Sequence, residues 1–201
     1  MQLTEITPLA DAALPVAGFR AHLRLGTGFA DETTQDIALA GYLRAALAVI
    51  EARTGKALIA RDFRLILQAW RWVDSQALPL APVSAVNEVA LRGPGGGVTP
   101  VDPARWRLVV DTHRPRLVAR GAMLPQIPVG GQVEISFTAG FDPDWQGVPA
   151  DLAQAVMLLA AQYYEARTGA VPQVPDAVSA LIARWVPVRV TAGRSGGGAG
   201  Q

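Results

Sequence analysis

The chain has 201 residues, half of them apolar, with a formal net charge of +1 and no cysteine. That length fits one domain, or one domain with an insert, and the missing cysteines exclude a disulfide framework and thiolate chemistry. Near-neutral charge argues against a chain that attracts nucleic acid by bulk electrostatics, and the apolar runs fall far short of the roughly 20 residues that span a bilayer.

The start, Met1-Gln2-Leu3-Thr4-Glu5, lacks the basic residues and apolar run of a signal peptide. The chain therefore reads as soluble and cytosolic, with no membrane partner. Residues 1–14 have weak periodicity and read as extended. A short helix is expected over residues 16–25, with Phe19 and Leu23 on one face. The first long helix is expected over residues 33–54. Asp31, Glu32 and Thr34 suit its positive end. Leu39, Leu43, Leu47 and Ile50 recur at helical spacing and make one apolar stripe.

A β region is expected over about residues 57–140. Phe63, Leu65, Leu67 and Ala69 alternate with Arg64, Ile66, Gln68 and Trp70, the period of two of a strand. Leu78 to Val83 is an extended connection marked by two prolines. Val86 to Leu91 reads as a second strand, and Gly93 to Gly97 as a hairpin tip. Trp106, Leu108 and Val110 alternate again, Arg116 to Ala119 is a weaker strand, and Val133, Ile135 and Phe137 give the cleanest alternation of all. A second long helix follows over residues 149–168, with Pro149 and Asp151 at its start and Leu152, Val156, Leu159 and Tyr163 on its apolar face. A last helix over residues 175–185 presents Val178, Leu181, Ile182 and Trp185. The expected fold class is α+β: a helical body of two long and two short helices, with an inserted antiparallel β region, forming one domain over residues 1–186. Residues 187–201 are Gly-rich and read as a flexible tail.

Both long helices end in the same pentapeptide, Glu51-Ala52-Arg53-Thr54-Gly55 and Glu165-Ala166-Arg167-Thr168-Gly169. Arginine in the last turn suits the negative helix end, and glycine takes the left-handed conformation that stops a helix. The flanking sequences do not align, so the repeat is one stop signal used twice.

Catalytic chemistry is sparse. His22 and His113 are far apart, and neither has a second metal ligand at a useful spacing. Thr54-Gly55-Lys56-Ala57 ends like a phosphate-binding loop. But Ile50 stands where the first glycine belongs, and no Ser or Thr follows the lysine. Asp142, Asp144 and Asp151 lack the glycine and glutamate of a calcium loop and read as turn and cap residues. No cofactor, metal or catalytic residue is expected, and the chain does not read as an enzyme.

After Asp176 the only charged residues are Arg184, Arg189 and Arg194. Trp185, followed by Val186, Val188 and Val190 with Arg189 between them, reads as a segment that orders against a partner. The competing reading is a nucleic-acid-binding module that uses this basic end.

The chain resembles the head–tail connector (adaptor) proteins of long-tailed bacteriophages and gene transfer agents. The resemblance rests on Phe19 to Leu25, Asp31-Glu32, Tyr42 to Ala46 running into Ile50 to Gly55, and Leu80-Ala81-Pro82-Val83. It continues through Val133 to Phe137 with Ala139-Gly140-Phe141, Val148 to Leu152, and Tyr164 to Arg167. It implies a ring, typically dodecameric, beneath the portal of a DNA-filled capsid, which extends the DNA channel and docks the next tail component. It also implies assembly in the bacterial cytoplasm, residence at the head–tail junction, and passage of double-stranded DNA without sequence-specific binding. Family members often grip the portal with a C-terminal segment, which assigns that role here to Trp185, Val188, Arg189, Val190 and Arg194.

Overall fold

The apolar stripes read from the sequence find partners in two separate cores, except that Val110 lies past its strand's end at Val109 and is exposed. The computed structural model describes residues 1–25, 32–166 and 173–187. In the helical layer, α1 (Val16–His22) packs on α2 (Glu32–Thr54), α2 on α3 (Ala150–Glu165), and α3 on α4 (Asp176–Ile182). The core of this layer is Phe19, the Leu39–Leu43–Leu47–Ile50 stripe, and Leu152, Val156 and Leu159. Tyr42 meets Tyr164 edge to face at 5.9 Å where α2 crosses α3. Arg20 ion-pairs with Asp36 and so ties α1 to α2.

The second core lies between two antiparallel sheets. One sheet has five strands in the order β1 (Gln2–Glu5), β2 (Arg61–Leu67), β8 (Gln132–Ala139), β4 (Val83–Arg92), β5 (Val98–Pro100). The other has three, β3 (Ser75–Ala77), β7 (Arg116–Ala119), β6 (Trp106–Val109). The central β2–β8 pair sets Phe63 opposite Phe137, Leu65 opposite Ile135 and Leu67 opposite Val133, all on the buried face. The Phe63 and Phe137 rings stack at 5.9 Å. Alternation puts Asp62, Arg64 and Glu134 on the other face, where Arg92 Nε donates to Glu134 at 2.7 Å.

The α+β class and its antiparallel sheets agree with the sequence reading, but the β region is not a pure insert. Strand β1 precedes every helix and forms an edge of the larger sheet. All four of its residues are exposed, so it contributes backbone pairing with no apolar alternation to read. The short strands β3 and β5 were also unexpected; β5 is fully exposed. The hairpin tip at Gly93–Gly97 is as expected, closed by Gly93 N–H to Gly97 O at 2.9 Å.

Candidate functional site

The two layers are stitched together where α2 ends. Gly55 has φ +64°, and its N–H donates to Glu51 O at 2.8 Å, as the stop signal requires. The chain then pairs with the Leu80–Val83 segment: Ala57 N–H donates to Ala81 O at 3.0 Å, and Ala81 N–H to Gly55 O at 3.1 Å. Residues 140–142 close the other side through Ala60 N–H to Asp142 O at 2.8 Å. Glu51 does more than end a helix. Its carboxylate takes both Arg61 Nη atoms, at 2.9 and 2.7 Å, and the Leu58 N–H at 2.7 Å. Glu5 of β1 adds a second ion pair to Arg61 at 3.1 Å. Burial pulls the Arg61 pKa down, and the two glutamates outweigh it, leaving the guanidinium held above its ordinary value. The stop signal and the Leu80–Val83 segment thus join the helical layer to the sheet.

A second cluster fixes the C-terminal end. Asp151, in the first turn of α3, accepts from Trp185 Nε1 at 2.7 Å and from Arg184 Nε at 2.7 Å, both just beyond α4. Burial pushes the Asp151 carboxyl up, but these bonds and the Leu152 N–H more than compensate, so it sits below its ordinary value. The Trp185 ring meets Phe141 edge to face at 5.4 Å and His113 at 6.2 Å, and the Arg184 guanidinium lies over it at 4.6 Å. His113 Nδ1 in turn lies 3.2 Å from the Nζ of Lys56, a buried lysine. Burial lowers the Lys56 pKa, and Asp111 partly restores it. Asp142 and Asp144 share a turn, with Asp144 N–H donating to Asp142 at 2.9 Å.

Of the residues assigned to portal contact, Trp185 is 8% exposed and committed to its own protomer. Val188, Arg189, Val190 and Arg194 lie outside the described residues, as does the second stop signal from Arg167 onward. Among the described residues there is no group of three or more His, Asp or Glu able to hold a metal, and no helix is long and apolar enough to cross a membrane.

Sequence reasoning missed a surface on the β layer. The loop after β2 is pinned by Trp70 Nε1 to Pro125 O at 2.7 Å, Arg71 N–H to Gln76 Oε1 at 2.9 Å, and Leu124 N–H to Val73 O at 2.8 Å. So fastened, it exposes Trp72, Val73 and the nearby Met123 beside a cavity of about 610 Å³. Of the chain's five tryptophans, Trp106 and Trp185 are buried, whereas Trp72 is exposed. The alternation runs on to Trp70, but the strand ends at Leu67, and the usable signal was the apolar pair Trp72-Val73 beyond the alternation.

No protein-family model matches the sequence, and neither does any curated protein. Solved structures do match. A chain from the neck of an empty gene transfer agent (GTA) particle, computed with C6 symmetry, is 60% identical, with TM-score 0.89. In each of the three matches described here, the alignment covers 96% of this chain and 100% of the other. The chain belongs to the head–tail connector family. A chain from the virion of a native GTA particle matches at 60% identity and TM-score 0.86. One from the neck of a native GTA particle, computed with C12 symmetry, matches at 56% and 0.85. The connector fold is therefore shared along nearly the whole chain, stitched junction and sheets included.

Proposed function

We propose that this connector forms a dodecameric ring under the portal of a gene transfer agent particle, extends the DNA channel and docks the tail. The observation that carries this reading is the near full-length match, at 56–60% identity, to chains of GTA necks and virions, with the necks computed under C6 and C12 symmetry. The physical character of the chain supports it. A conduit has to let DNA slide, and a strongly basic lining repeated around a ring would hold the phosphates. A net charge of +1 suits passage. The chain acts by shape, as a structural subunit without bond chemistry of its own.

The portal contact is assigned to the end of the chain. Trp185 serves as the anchor, because Asp151, Phe141 and His113 fix its ring. Val188, Arg189, Val190 and Arg194, which follow it in the sequence, are assigned the grip on the portal. The isolated protein is a monomer or a weak oligomer that closes into a ring only on its template. Electron microscopy of particles from a strain lacking this gene tests the role: filled or leaky heads without tails are expected. Intact tailed particles would contradict it.

A further inference from the structure

A ring of identical subunits needs a heterologous contact: one surface of a copy meeting a different surface of the next. The connector carries two apolar surfaces that no other part of the described residues covers. The first is the pinned knob on the β layer, where Trp72, Val73 and Met123 are 64%, 73% and 61% exposed. The second is a groove of about 630 Å³ on the helical layer, lined by Val16, Ile37, Ala40 and Gly41 of α1 and α2, with Ile37 71% exposed. We propose that the knob of one copy seats in the Ile37–Gly41 groove of the next, and that this pair of surfaces is the lateral contact of the ring. This rests on the connector reading above.

Three observations favour a second copy as occupant. Gly41 lies within α2, where glycine weakens a helix relative to alanine. Yet a Cβ built there meets nothing within 4 Å. Nothing among the described residues calls for glycine at that place, which fits a side chain entering from a neighbouring copy. Charge agrees as well. Arg71, beside the knob, has no carboxylate partner among the described residues. The groove is rimmed by Asp11 and Asp36, each paired with an arginine of its own chain but still partly exposed, with acceptor sites to spare. Size fits too. A tryptophan buries about 150–250 Å², so the knob supplies only part of the roughly 800 Å² per partner of a stable interface. Such a contact is weak between two free copies and closes when a template holds many copies together.

A chain without cysteine makes the test clean. Particles carrying Val73→Cys together with Ile37→Cys are treated with a short thiol-to-thiol cross-linker and run on a denaturing gel. The proposal expects a ladder of dimer, trimer and higher multiples, with each single variant giving none. Monomer only, from particles whose neck retains the ring, overturns it, and so does a link to a different neck protein. As a second arm, Gly41→Leu fills the groove. Its monomer is expected to melt no lower than the parent, while particle-associated copies fall at least tenfold; unchanged incorporation overturns the proposal. If the unsubstituted chain is itself missing from purified necks, the connector reading fails, a result distinct from rings that form without the ladder.

Discussion

The helical layer and the β layer bury their cores equally well but treat their outer surfaces differently. Among the large apolar side chains left exposed, Ile37 and Val186 belong to the helical layer. Leu3, Trp72, Val73, Val98, Val110, Met123 and Val129 lie on the sheets and their loops. The helices keep their apolar residues for one another and act as a frame. The sheets are held by cross-strand pairs such as Phe63 and Phe137, which frees their loops to present apolar side chains outward. A subunit that works by contact needs both a part that holds shape and a part that offers surface; here the β layer offers most of the apolar surface and the helical layer the Ile37 groove.

The largest expected effect is at the seam between the layers. Gly140 has φ +141°, and a Cβ there would lie 2.2 Å from Ala60 Cα. Gly140→Ala adds backbone strain to a clash with main chain and is expected to cost about 4 kcal/mol, read by chemical denaturation as a loss of both layers together. Next, Leu152→Ala in the fully buried helical core should cost about 3 kcal/mol, with a matching fall in the denaturation midpoint. Asp151→Ala leaves the Trp185 indole N–H without its acceptor and is expected to cost about 2 kcal/mol. Asp151→Asn should cost less, because an acceptor oxygen remains.

The pH dependence of that anchor has a definite sign. The Asp151 pKa is lowered in the folded protein from its ordinary 3.8. Its contribution is therefore complete above 3.8 and is lost as pH falls through the lower folded value. Acid titration of stability should show this component in the parent and lack it in Asp151→Asn. The smallest expected effect sharpens the comparison most. Trp72→Ala removes the largest exposed side chain of the β layer and should change monomer stability by less than about 0.5 kcal/mol. A large loss there would mean that the knob belongs to the core.

What the sequence made legible follows from where its signals are strong. The stripe from Leu39 to Ile50 and the alternation from Val133 to Phe137 are buried on one face, so periodicity reports them. Strands β1 and β5 are exposed throughout and held by backbone pairing, which leaves no apolar pattern to read. Asp151 was legible as a helix-start residue. Its bond to Trp185 spans 34 residues, and no local rule foretells it. Likewise Glu51 was legible as part of a stop signal, but its clasp on Arg61 appears only once the strand folds back. The knob escaped notice because a tryptophan-rich segment beside a strand looks like core until the loop is seen to turn out.

A reconstruction of the neck of particles made with this chain tests the central claim most directly. Twelve copies of the connector fold in a closed ring beneath the portal are predicted, with the C-terminal residues leaving Trp185 towards the portal. A neck complete without this chain, or density for it elsewhere in the particle, would contradict the account.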